Sequence, residues 1–456
     1  MDFDEKLETL GKSMANKTSY RFTQCERPRL KRMRLRLSIP ITAILAVILV
    51  PVIVLTTISS TGTSPVNAAD LMSGIKPNPV STDIDISNAN LAAIDFAVRL
   101  FQQSVSAKEN ILISPLSVLC ALAMTANGAD GNTLAQMETI FGVSMAELNA
   151  YLYSYINNLS SENKCEFILA NSIWFRDDDS LAVKKAFLQL NADYYGASIY
   201  KASFDANTLK AINNWVSKNT KDMIDKILDS ISADAVMYLI NALSFDAEWQ
   251  SIYPENYVRS GTFTAKSGKI QAVEMMHSTE GVYLDDGFAT GFVKYYSGGK
   301  YAFVALLPND NISINEYILT LSGEKLATTI KNAQNVPVST AMPKFESEYS
   351  IVMADILKDM GMSDAFDESL ANFSRLGHSD YGNLFISRVI HKTFISVDER
   401  GTKAGAVTAI EINVMGAGGP TPKTVHLDRP FVYMIIDCET NLPVFVPLFI
   451  GAVLDI

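Results

Sequence analysis

Apolar side chains at Leu91, Ile94, Phe96, Ala97, Leu100 and Phe101 recur with helical spacing, so residues 90–103 read as an amphipathic helix. Ser114 and Pro115 open a second, strongly apolar helix that runs to Ala126. Two more are expected at 145–157 and 209–218, the latter with Trp215 on its apolar face. The pattern then changes. Residues 167–175, 236–245 and 301–307 are apolar runs of strand length, and 431–436 and 448–453 supply two further strands near the C-terminus. Residues 385–397 alternate, with Val389, His391, Thr393, Ile395 and Val397 on one face. Helices lead, strands dominate later, and no βαβ repeat organises them, which predicts an α+β fold.

One stretch carries two signals. Residues 398–420 (DERGTKAGAVTAIEINVMGAGGP) have the Gly, Ala and Thr content of a loop. From Thr402 onward they also alternate. Thr402, Ala404, Ala406, Thr408, Ile410, Ile412 and Val414 carry no charge, while the intervening positions include Lys403, Glu411 and Asn413. Period-2 alternation marks a half-buried strand. By itself, an edge strand or hairpin arm accounts for it.

Residues 37–58 (LSIPITAILAVILVPVIVLTTI) hold no charge and are long enough to cross a membrane as a helix. Six Lys and Arg residues lie between Arg27 and Arg36, and no charge follows until Asp70. The positive-inside rule then places residues 1–36 in the cytoplasm and the rest outside. A signal sequence cleaved near Ala68, giving a secreted protein, is the alternative. Residues 59–82, rich in Ser, Pro, Asn and Gly, read as a flexible linker, and 83–456 as one large domain.

The first 60 residues hold 10 Lys+Arg against 5 Asp+Glu, leaving 28 against 44 in the remainder. An acidic main domain without a basic stripe argues against nucleic acid as a partner. The chain has 4 cysteines, too few for a disulfide-built scaffold; Cys120, in an apolar run, reads as a buried thiol, and no disulfide is expected. The 4 histidines (His277, His378, His391, His426) form no metal-binding spacing. There is no G-x-S-x-G elbow, and the Gly-rich 416–419 lacks the Lys-Ser/Thr of a phosphate loop. Asp177, Asp178 and Asp179 read as a solvated turn rather than a calcium loop. No metal, cofactor or enzymatic chemistry is expected.

Seven short motifs, in order along 83–456, resemble those of the serpins, the serine protease inhibitor family. They are NILISPLS (110–117), INNWV followed by Thr220, INA with Phe245 and Trp249, MPKF (342–345), HK followed by DERGT (398–402), DRPF (428–431) and FIG (449–451). The resemblance implies a serpin fold: helices around a large mixed central sheet, smaller sheets, and an exposed reactive loop, here 399–424. It implies that a target protease cleaves that loop and is trapped as the loop inserts into the central sheet. A non-inhibitory member, acting as a binding or scaffold module, is the alternative.

The resemblance also resolves the two signals in 398–420, since such a segment serves first as a loop and then as a strand. It assigns the hinge to Glu399, Gly401, Thr402, Ala404, Ala406 and Thr408. It puts the cleaved bond between Met415 and Gly416, with Val414, Ala417 or Gly418 as candidates if extra loop length precedes it. No Lys or Arg lies between Lys403 and Lys423, so the expected target is not trypsin-like but elastase-, chymotrypsin- or subtilisin-like. Ser114, Ser117, Asn241, His391 and Trp249 match family positions where the sheet must open. The whole is expected to be a monomer, anchored by 37–58. The helix at 145–157 has no Lys or Arg, so activation by glycosaminoglycan is not expected.

Overall fold

The computed structural model describes residues 68–451, apart from 81–84, 106–108, 160, 163, 178–180, 233–234, 381 and 403–421. The leader 1–36, the apolar span 37–58, Cys25 and the loop positions Ala404, Ala406, Thr408, Met415 and Gly416 lie outside the described residues. Among the described residues, no helix is long and apolar enough to cross a membrane.

Among the described residues, the first half holds the helices α1 (Ala89–Ser104), α2 (Pro115–Ala126), α3 (Gly131–Phe141), α4 (Met145–Asn157), α5 (Lys185–Tyr195) and α6 (Ala206–Asn219). Every residue of α2 is buried, which is why it shows no amphipathic stripe. Its start is set locally. Pro115 occupies the first turn, where its missing N–H costs nothing, and the Ser114 side chain caps the Ser117 amide. The periodic reading missed α3 and α5. Both end on a left-handed glycine, Gly142 and Gly196, the usual C-terminal stop signal.

The eight-stranded large sheet holds β1 (Ala68–Asp70), β2 (Cys165–Arg176), β3 (Ser198–Ala202), β4 (Met237–Glu248), β5 (Phe345–Val352), β6 (Arg388–Val397) and β7 (Gly401–Thr402), with the short strand Ser161–Glu162 paired to the start of β2. Their spatial order is β1-β3-β2-β4-β7-β6-β5. β4 is buried almost throughout, because the sheet is covered on both faces. One face packs on α2 and the main core, and α6 lies across the other, burying Trp215 against Trp174, Tyr238, Ile240 and Ile390. A six-stranded sheet (strands 111–113, 282–285, 289–295, 301–308, 431–437 and 443–449) and a four-stranded one (258–264, 270–280, 338–343 and 423–426) complete the architecture.

Two expectations need correction. Residues 68–80, assigned to the linker 59–82, are docked: β1 pairs antiparallel with β3, and Leu71, Met72 and Ile75 pack on the core. Asn78 adds two hydrogen bonds to Asp193. Among the described residues the last strand is Pro443–Phe449, which starts before the expected 448–453 and ends at Phe449. Gly451 has φ 91°, and a β-carbon there would lie 2.6 Å from the Phe263 ring.

Candidate functional site

The centre of the large sheet is unusual in its pairing. β4 and β6 run parallel over six pairs, from Arg388↔Tyr238 to Thr393↔Leu243, while their outer partners β2 and β5 run antiparallel to them. Parallel ladders are slightly the weaker kind per residue. Beyond Thr393 the two strands separate, and β7 fills the gap. Thr402 pairs antiparallel with Val397 on one side and Ala247 on the other, and Gly401 pairs with Glu248. At Gly401 a β-carbon would stand 2.0 Å from the Ala247 carbonyl oxygen and 2.8 Å from the Glu248 Cα, so only glycine fits the cleft between the strands.

Around this wedge the hinge is fastened by its backbone. The Trp249 amide donates to the Arg400 carbonyl at 2.8 Å, the Tyr253 amide to that of Glu399 at 2.8 Å, and the Trp249 indole N–H to that of Asp398 at 2.9 Å. Thr402 is fully buried, and its hydroxyl meets the Tyr296 hydroxyl at 2.6 Å. Tyr296 in turn stacks on Trp249 with ring centres 4.4 Å apart. Glu399 is held from outside by Lys344, at 2.7 Å, which also reaches Glu274 at 3.3 Å. Burial alone would lower the Lys344 pKa, but the two carboxylates outweigh it and raise it; against its own partial burial, the Lys344 ammonium holds the Glu399 carboxyl below its usual value.

Lower down, a polar cluster lies under the parallel pair. The Ser114 amide donates to His391 Nε2 at 3.1 Å, and His391 Nδ1 lies 2.9 Å from Asn241 Oδ1. Since Nε2 accepts, the proton of the neutral ring sits on Nδ1 and is donated to Asn241. Asn241 Oδ1 also accepts from the Ser117 hydroxyl at 2.5 Å, and the Asn241 amide group donates to the Ser117 carbonyl and to Asn171 Oδ1. Thr393 extends the cluster to the Leu112 carbonyl at 2.6 Å. Asn241 and His391 are cross-strand partners on β4 and β6, so this network ties α2 to both strands of the parallel pair. Of the sequence-selected residues, Ser114, Ser117, Asn241 and His391 thus share one network. Trp249 belongs instead to the hinge, with Glu399, Gly401 and Thr402.

Complete burial pushes the His391 pKa down to about 3, and the Ser114 amide leaves no room for a proton on Nε2. The unfolded chain binds this proton near the usual value of 6.5. His391 therefore adds stability that is intact above pH ~6.5 and declines as pH falls towards ~3, with a slope approaching about 1.4 kcal/mol per pH unit. Denaturant midpoints from pH 7 to pH 4 should fall steadily. In His391→Asn that component of the slope should vanish; an unchanged slope would show that His391 is not held neutral.

Sequence reading missed Tyr296, Tyr253 and Asn171, which carry no local signal. It had quoted Lys344 within MPKF without giving it a role. Among the described residues, no group of His, Cys, Asp or Glu is arranged to hold a metal, and Cys120 is a buried free thiol.

Comparison with known proteins supplies the context for this geometry. The family model described as "Serpin (serine protease inhibitor)" matches residues 91–456. An uncharacterized serpin-like protein of Thermococcus kodakarensis is 30% identical over 360 residues, covering 77% of this chain and 82% of that one. Serpin B8 of Homo sapiens is 29% identical, covering 77% and 96%. The crystal structure of tengpin, a thermophilic serpin, in its native state superposes with a TM-score of 0.81 at 51% identity, covering 85% of this chain and 100% of that one. The latent state of tengpin superposes less well, with a TM-score of 0.71 at 49% identity, covering 82% and 99%.

Proposed function

The chain belongs to the serpin family, and from that premise we propose that it is a suicide inhibitor of serine proteases that traps its target by inserting the cleaved loop into the large sheet. One observation carries this reading. Gly401 and Thr402 already stand between β4 and β6, antiparallel to both. A strand continuing from Thr402 in that direction meets the free edges of both neighbours once their six parallel pairs part. The closer superposition on the native than on the latent form of tengpin supports a starting state in which that insertion has not run.

The finer features rest on the sequence. Cleavage falls between Met415 and Gly416, and the absence of Lys and Arg from residues 404–422 selects a protease that accepts Met, Val or Ala over a trypsin-like one. The apolar span 37–58 with its basic flank tethers the domain outside the cell. The domain acts as a monomer, and Ser114, Ser117, Asn241 and His391 re-pair when the sheet opens.

Incubation of the protein with elastase-, chymotrypsin- and subtilisin-like enzymes tests the reading. A detergent-stable covalent complex at a ratio near one to one is expected, with a cut mapped by mass spectrometry to 415–416. Turnover of the loop by every such protease, with no complex, would leave the non-inhibitory reading.

A further inference from the structure

Beneath the hinge lies a charge that the mechanism above does not use. Lys294, on strand Ala289–Tyr295, is buried, with its side chain 3% exposed. Lysine is almost never fully buried unless it is paired. Its ammonium donates to Glu280 Oε1 at 2.8 Å, and that carboxylate, at the end of strand Ile270–Glu280, also accepts from the Ser278 hydroxyl at 2.5 Å. The same ammonium stands over two aromatic faces, 4.3 Å from the centre of the Tyr253 ring and 5.5 Å from that of Trp249. These are the two residues whose amides hold the carbonyls of Glu399 and Arg400.

The chain of contacts is therefore short: Glu280 fixes Lys294, Lys294 fixes Tyr253 and Trp249, and those fix the hinge. A buried ion pair is poor evidence of stability, because desolvation offsets the Coulomb attraction. A desolvated cation over aromatic rings, by contrast, attracts and orients them. We propose that Lys294, anchored by Glu280, is a positioning residue for the hinge. It keeps Trp249 and Tyr253 in the one arrangement from which the strand started by Gly401 and Thr402 can run on promptly after cleavage. The link to trapping rests on the inhibitory reading above; the positioning of the hinge does not.

The test uses the full chain, the double variant Lys294→Met with Glu280→Gln, and Lys294→Arg. The double variant removes both charges together, so neither is left buried and unpaired. Lys294→Arg keeps a cation for the rings and for Glu280. Two quantities are read: amide hydrogen exchange at Trp249 and Tyr253, with strand Tyr301–Pro308 as a control, and the number of inhibitor molecules consumed per protease trapped.

In the double variant, exchange at the two amides should rise roughly tenfold with the control unchanged, and inhibitor consumption should rise severalfold. Lys294→Arg should restore both. Wild-type exchange at Trp249 and Tyr253 in the double variant, or a rise spread evenly over the control strand, would overturn the proposal. If the wild-type protein traps no protease at all, the inhibitory reading fails, and the exchange measurement still decides whether Lys294 positions the hinge.

Discussion

Thr402→Arg should convert the protein from an inhibitor into a substrate. Its loop should still be cut by the same protease, while the yield of covalent complex falls at least tenfold. The cause is local. Thr402 is fully buried between Val397 and Ala247, with its hydroxyl spent on Tyr296. A guanidinium there must either displace the stacked pair of Tyr296 and Trp249 or stay outside and draw β7 out of the cleft. Burying an unpaired charge costs several kcal/mol, and each 1.4 kcal/mol added to the barrier slows insertion about tenfold. The protease is then released before it is trapped. Thr402→Ser keeps a hydroxyl for Tyr296 and should retain the complex. Quantifying complex against cleaved product on a denaturing gel checks both variants. An arginine variant that traps as well as wild type would mean that insertion does not begin at Thr402.

The second large effect follows from extending the register of β7. Thr402 faces Ala247 and Val397, so each further residue meets the preceding one on β4 and on β6. On that register an inserted strand would bring Thr408, six steps on, opposite Asn241 and His391, which with Thr393 are the polar members of an otherwise apolar row. Ala404 and Ala406 fall opposite Phe245 and Leu243 on β4, where little space is free, and Ile410 and Ile412 opposite Leu239 and Met237. In that register Thr408 would be polar where Asn241 and His391 are polar, and Ala404 and Ala406 would be small beside Phe245 and Leu243. Insertion would exchange the six parallel pairs for two antiparallel ladders, which more than offsets breaking the β4–β6 pairing. Opening also separates Asn241 from His391, and the Thr408 hydroxyl arrives where a partner is then missing.

How much of this was legible in the sequence varies with where the controlling interactions lie. α2 could be read because its cap is local: Ser114 and Pro115 start it, and an unbroken apolar run continues it. β4 and β2 could be read as strands, since both are apolar runs of strand length. Residues 68–70 could not. Three small or polar residues become a strand only because the edge of β3 offers them partners, and nothing in their own pattern records that. The last strand among the described residues ends at Phe449, while the apolar pattern itself continues past Gly451 and gave no sign of that end. Within the site, His391 and Asn241 were found through motifs, but their pairing across two parallel strands is set by sheet order. Lys294 was hidden for a similar reason. A lysine in an alternating run normally faces water, and here Glu280 and two aromatic rings, brought by other strands, let it face inward. The alternation of 402–414 lies outside the described residues beyond Thr402, so its double reading, loop in composition and strand in period, rests on the sequence.

If the residues following Thr402 are a strand held in reserve, cleaving the loop must change the thermal midpoint. A domain of this size shifts by no more than about 2 °C per kcal/mol, so a rise beyond ~10 °C needs at least about 5 kcal/mol of new interactions. A strand of some ten residues, bonded on both sides, supplies that; a nicked surface loop does not. After a single cut between Thr408 and Gly419, the midpoint should rise by more than ~10 °C. A midpoint that stays the same or falls after that cut would contradict a strand held in reserve.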